Sequence, residues 1–125
     1  MADNTFHKNE RLKSRKSIEI IFRNGKSISS PPLRLYFRRV EGFEGTVQMT
    51  VAVPKRMIRR AVDRNLIKRR IREAYRLNKE SLYQSLNKKN TRLELIFLYQ
   101  ASEILDYKAI NRSVQFLLMK LAEKM

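Results

Sequence analysis

The sequence predicts an α+β fold in the order α-β-β-α-β-α, with a further short strand near Ile28. Three observations carry this expectation. Residues 33–40 and 46–53 alternate apolar and polar side chains, the period of half-buried strands. Residues 93–99 are apolar at almost every position, as in a strand covered on both faces. Residues 58–78 and 107–121 instead repeat their apolar side chains at helical spacing.

The elements follow in order. The first sixteen residues, polar and basic with Arg11, Lys13, Arg15 and Lys16, read as a flexible arm. Ser17 is the expected N-cap of a short helix containing Ile18, Ile21 and Phe22, stopped by Gly25. Pro31 and Pro32 start an extended run in which Leu33, Leu35 and Phe37 face one side and Arg34, Tyr36 and Arg38 the other. Residues 41–45 hold two glycines and read as a hairpin loop leading to a strand with Val47, Met49, Val51 and Val53 inward. Pro54 closes that strand. A long helix is expected over 58–78, with Ile67, Ile71, Ala74 and Tyr75 in one sector, and Leu82 and Leu86 prolonging the helical character. A polar loop, 87–91, precedes the apolar strand. Asp106 then caps a last helix with the core stripe Tyr107, Ile110, Val114, Leu117, Leu118 and Leu121. The 125 residues, 42% hydrophobic, suit a single domain, 1–125.

Charge is the strongest functional signal. Residues 55–76 carry ten Lys or Arg and only Asp63 and Glu73 as acids, a net +8 out of the chain's +16. Arg64, Lys68, Arg72 and Arg76 are spaced by four, and like charges at that spacing destabilise an isolated helix by a few tenths of a kcal/mol per pair. Such a ladder calls for a polyanion, and a nucleic-acid backbone fits best. No apolar run approaches a membrane span, and MADNTFHKNER lacks the pattern of a secretory signal, so a cytoplasmic protein without a membrane partner is expected.

The same residues argue against a protein active site. His7 is the only histidine and lies on the polar arm; there is no cysteine. The twelve acids are scattered, with no Asp-x-Asp pair for metal ions and no glycine-rich phosphate loop. The face Arg34, Tyr36, Arg38 is different: an aromatic flanked by arginines can stack on an unpaired base while the arginines hold phosphates. Phe22 is either a core aromatic or a wall of the same groove. Asn65 is either a neutral surface amide or a hydrogen-bonding group for the nucleic acid.

The pattern Ile58-x-x-Ala61-x-x-Arg64-Asn65-Leu66-Ile67-Lys68-Arg69-x-Ile71-Arg72, continued by Glu73 and Ala74, resembles the signature of the protein component of bacterial ribonuclease P. Arg11-Leu12-Lys13, Phe22-x-x-Gly25, Leu35-Tyr36 and Val53-Pro54-Lys55-Arg56 fall in that family's order. The resemblance implies an α/β sandwich, a four-stranded mixed sheet packed with helices in the order α-β-β-(β)-α-β-α, with a left-handed crossover through the basic helix. It implies a subunit that binds a catalytic RNA and the 5′ leader of precursor tRNA, while the RNA, with Mg2+, performs the hydrolysis. No cofactor of the protein itself and no obligate protein partner are expected. Arg64, Asn65, Lys68, Arg69 and Arg72 match the motif expected to contact RNA, with Lys55 and Arg56 at the mouth of the helix and Arg59, Arg60 and Arg76 extending it. Phe22 and Tyr36 match aromatics of the leader cleft, flanked here by Arg34 and Arg38. Two positions depart from the pattern: Leu66, where the family often has Arg, with Arg69 or Arg70 as compensating cations, and Ile18, where an aromatic is common. The alternative reading is a structured-RNA-binding protein of ribosomal type with no role in cleavage.

Overall fold

A computed structural model of the protein describes Arg11, Leu12 and residues 14–41, 47–86 and 91–124. The elements are α1 (Arg15–Asn24), β1 (Lys26–Ser30), β2 (Leu33–Glu41), β3 (Val47–Ala52), α2 (Ala61–Asn78), α3 (Glu80–Leu86), β4 (Thr91–Tyr99) and α4 (Tyr107–Lys124). They form a mixed four-stranded sheet in the order β1-β2-β4-β3, antiparallel except for the parallel pair β3–β4. The short strand expected near Ile28 is β1.

The 33–40 and 46–53 strands do not form a hairpin with each other. β4 inserts between them, pairing Tyr36 with Ile96 on one side and Ile96 with Thr50 on the other. The physical reason lies in β4 itself. Leu93, Leu95, Ile96 and Phe97 are all fully buried, which a place between β2 and β3, under α2 and α4 on one face and α1 on the other, provides. The hairpin is instead β1–β2, closed at Pro31–Pro32, which are joined by a cis peptide bond. Of the hairpin loop expected over 41–45, residue 41 belongs to β2 and the rest lie outside the described residues.

The pleat separates two cores. Leu33, Leu35, Phe37, Val47, Met49, Val51, Leu93, Leu95, Phe97 and Tyr99 point toward α2 and α4, meeting Ile67, Ile71, Ala74, Tyr75, Ile110, Val114, Leu117 and Leu121. On the opposite face a smaller cluster of Leu12, Ile21 and Ile96, with Ile18, Tyr36 and Ala52 around it, packs α1 on the sheet.

Three boundaries differ from the sequence reading. α1 begins at Arg15, because Ser14 is the N-cap and its hydroxyl accepts from the Ser17 amide at 3.2 Å. Its stop is Gly25, as expected, but at φ −76° the requirement is space rather than handedness. A Cβ there would stand 2.4 Å from the Ile21 carbonyl oxygen and 3.0 Å from that of Phe37. α2 begins at Ala61, not Ile58. The Pro54 carbonyl accepts from the amides of Met57 and Ile58 at 3.0 and 3.1 Å, and this turn is pinned by the buried Ile58. Leu82 does lie on a helix, but on a separate one. Asn78 ends α2 by donating to the Ala74 carbonyl (2.7 Å) and to Asn111 Oδ1 (2.9 Å). Thr91, placed in the polar loop by the sequence, opens β4, and 87–90 lie outside the described residues. Asp106 caps α4 as expected, accepting from the Ala109 amide at 2.9 Å.

Residues 1–10 of the arm lie outside the described residues, but its later part is not free. Arg11 bridges to Met49 in parallel, the Leu12 amide donates to the Met49 carbonyl at 2.9 Å, and the Leu12 side chain is buried. Arg15 and Lys16 are helical. The arm therefore docks along β3, an edge strand that offers unpaired backbone groups.

Candidate nucleic-acid interface

An i,i+4 series is not parallel to a helix axis: each step overshoots a full turn by about 40°, since one residue turns about 100°. The ladder on α2 therefore winds around the helix. Its first rung, Arg64, falls in the sector of Ile71 and Tyr75, at the edge of the core. There Nη1 donates to the carbonyls of Ile58 (3.0 Å) and Arg59 (2.7 Å), tying the approach segment to the helix. The later rungs reach the outer surface. Asn65, Lys68, Arg69, Arg72 and Arg76 line a single groove together with Glu73. Five of the ten residues expected to bind RNA are thus brought together.

The electrostatics of the groove are one-sided. Burial, and after it the Arg11 guanidinium, disfavours the charged form of Arg72. An anion placed there would relieve both. Arg76 is partly neutralised, because its guanidinium forms a short ion pair with Glu73 and its Nε donates to Glu73 Oε2 at 3.3 Å. That hydrogen bond lowers the Glu73 pKa and raises that of Arg76. Arg70 faces away and donates to the Leu105 carbonyl at 2.6 Å, so it cannot stand in for the missing arginine at Leu66. Arg69, exposed and in the groove, can. Lys55, Arg56, Arg59 and Arg60 are exposed on the segment leading into α2, outside the groove, and Arg60 Nε lies 3.9 Å from Asp63 Oδ2.

The sheet face opposite α2 carries the second group. Arg34, Tyr36 and Arg38 form one row of β2, and cross-strand pairing sets Leu98, Ile96 and Glu94 beside them. Phe22 stands on α1, 41% exposed, with its ring edge-on to Tyr36 at a centroid distance of 5.0 Å. Phe22 is therefore a partly exposed ring beside Tyr36 rather than a core aromatic. Both rings offer surface to a flat base, and Arg34 Nε is buried with no hydrogen-bond partner among the described residues. Arg38 is the exception in this row: it is bound to Glu94, through Nε at 2.9 Å and Nη2 at 2.5 Å. Ile18, where an aromatic is common, packs in the small cluster under α1.

Arg11 was not among the expected contacts. Its docking on β3 brings it near enough to Arg72 for the two charges to repel. No periodicity in the sequence marks it, since its place depends on an edge-strand bridge across 38 residues of chain (49 less 11). Among the described residues no group of three His, Cys, Asp or Glu could hold a metal ion, and no helix is long and apolar enough to cross a membrane.

Comparison with known proteins places this geometry. The model of a family described as Ribonuclease P matches residues 6–122. A Ribonuclease P protein component from Porphyromonas gingivalis is 38% identical over 118 residues, covering 92% of this chain and 85% of its own. The fold is similar to the RNase P protein of Thermotoga maritima, with a TM-score of 0.63 at 25% identity over 93% of this chain and 97% of the other. It is also similar to that of Staphylococcus aureus, with a TM-score of 0.66 at 22% identity over 91% and 96%.

Proposed function

The chain belongs to the ribonuclease P protein family, and on that premise we propose that it is the protein component that joins a catalytic RNA in a tRNA 5′-processing endoribonuclease of the cytoplasm. The observation that supports the mechanism is that the basic residues of α2 and the aromatic row of β2 lie on two separate surfaces. The α2 groove presents Lys68, Arg69 and Arg72 to the RNA subunit. The row Arg34, Tyr36, Arg38, walled by Phe22, receives the single-stranded 5′ leader of precursor tRNA. Arg11, docked on β3 and close enough to act on the Arg72 charge, adds to the positive charge beside the α2 groove.

In this reading the protein supplies no reacting group. The RNA, with its own magnesium ions, performs the hydrolysis, and the protein neutralises phosphate charge and fixes the leader. Stacking on aromatic rings is worth about 1–3 kcal/mol per base and tolerates any base, which suits leaders of varied sequence. The phosphate contacts make association fall steeply with salt, by about a thousandfold or more between low and moderate ionic strength if about 6–10 phosphates are neutralised.

The test is reconstitution of the protein with the candidate RNA subunit and a precursor tRNA at low magnesium. Leader removal that needs both components is the expected result. An RNA that is active at high magnesium but gains nothing from the protein would overturn the reading. Cleavage by the protein alone would overturn the RNA-centred chemistry.

A further inference from the structure

We propose that a second basic cleft, formed by Lys26, Arg38, Arg39 and Lys124 at the β1 edge of the sheet, binds leader phosphates farther from the cleavage site than the nucleotide at Tyr36. The inference rests on the assignment of the sheet face to the leader and extends it.

The cleft has a volume of ≈ 440 Å³, and none of its lining residues is acidic. Its charges come from three separate elements: Lys26 opens β1, Arg38 and Arg39 lie on β2, and Lys124 ends α4. The chain thus folds four cations into one concavity with Asn24, and of the four Arg38 is answered by Glu94 from outside the lining. Such a site focuses positive potential, and an anion relieves it.

Backbone geometry favours an extended ligand there. Lys26 pairs with Phe37, where the β1–β2 ladder begins, yet β2 runs on to Glu41. Beyond Phe37, β2 is paired with β4 on one side and has no β1 partner on the other. The Phe37 carbonyl points toward β1, lying 3.0 Å from where a Cβ on Gly25 would stand. Alternation along the strand then turns the Arg39 amide toward the same open edge, into the cleft. Lys26, Arg39 and Lys124 are exposed. Arg38 is committed to Glu94, so the other three carry the phosphate contacts.

Position selects the leader over the RNA subunit. The α2 groove opens on the β3 side, whereas this cleft lies on the opposite, β1 side of the sheet. Arg38 belongs both to the leader row and to the cleft, two residues or about 7 Å along β2 from Tyr36. Lys26 and Arg39 share the Phe37 face of the sheet, on which α4 also packs. A single strand that stacks on Tyr36 therefore reaches them past Arg38 by turning over the open β2 edge beyond Phe37.

The experiment uses the reconstituted holoenzyme and two precursor tRNAs, one with a long leader and one with a leader cut back to a single nucleotide. Arg39→Gln with Lys124→Gln is expected to reduce the salt slope for the long-leader substrate by about two and its affinity at moderate salt by about tenfold. Affinity for the short-leader substrate and for the RNA subunit alone is expected to stay unchanged. Lys26→Gln, at an exposed first strand residue, gives the same test with one charge should the double variant lose its fold. Unchanged long-leader affinity overturns the proposal. An equal loss with both substrates, or weaker binding to the RNA subunit, overturns it too, since the cleft would then touch another RNA. Failure of the underlying reading is a separate result, because the unaltered holoenzyme would release no leader at all.

Discussion

Arg38 on β2 and Glu94 on β4 form a cross-strand ion pair in which Arg38 Nε and Nη2 donate to the same Glu94 oxygen, at 2.9 and 2.5 Å. Glu94 is 0% exposed, and the Arg38 side chain only 28%. Arg38 therefore answers a buried charge, whereas Tyr36 packs on the small cluster under α1 and Arg34 donates to Ser27 Oγ at 3.3 Å. The Arg38 guanidinium is held rigidly beside the aromatic row, and part of its charge is already answered.

Removing either partner of this pair takes from the other its opposite charge across the strands. Arg38→Met is expected to destabilise the fold by about 3 kcal/mol, because it removes the guanidinium that pairs with a buried carboxylate. Arg38→Met with Glu94→Leu should recover most of that loss. Urea denaturation of both variants checks this; equal losses in the two would mean that the pair is not what stabilises Glu94.

Phe22 and Tyr36 separate function from stability in the opposite sense. Phe22 is 41% exposed and lies outside the main core, so Phe22→Ala should change the unfolding free energy by less than about 1.5 kcal/mol. Its cost should fall on the leader, at about 1–3 kcal/mol of precursor affinity, with binding to the RNA subunit unaffected. Titration of the holoenzyme with precursor and with mature tRNA distinguishes the two.

Gly25 joins α1 to β1 where two carbonyl oxygens crowd its Cα. Gly25→Ala forces backbone to move, since the nearest atom to the new Cβ would be 2.4 Å away. A loss of about 1–3 kcal/mol is expected, read as a lower urea midpoint with an unchanged slope.

Arg64 and Arg72 look equivalent in the sequence and are not. Arg64→Ala removes two hydrogen bonds that brace residues 58–60, at about 1–3 kcal/mol of stability, and should shift the salt slope of RNA binding by well under one unit. Arg72→Ala should leave stability almost unchanged and lower that slope by about one. Equal effects in the two variants would show that the winding of the ladder has no functional consequence.

Much of this organisation was legible in the residues themselves. Period-two alternation marked Leu33, Leu35 and Phe37 as one buried row and Val47, Met49 and Val51 as another, and the apolar run broken only by Glu94 marked β4 as covered on both faces. What alternation could not reveal was neighbourhood. The two glycines of the 41–45 loop suggested a hairpin, but strand pairing depends on which faces β4 must cover, a property of the whole sheet. The α2 motif likewise announced a polyanion partner without showing that Arg64 turns inward or that Arg70 is spent on Leu105. Those outcomes follow from the helical advance of about 40° per four residues, set against where the core lies. Arg11 and the cleft around Arg39 and Lys124 gave no local signal, because each is assembled from segments distant in the chain.

The central claim is that the outer face of α2 holds the RNA subunit by its phosphates. The most direct measurement is the equilibrium constant for that RNA as a function of salt, for the unaltered protein and for Lys68→Ala with Arg72→Ala. The account predicts that the double variant lowers the slope of log K against log salt by about two, with an unchanged unfolding midpoint. Slopes that coincide would contradict it.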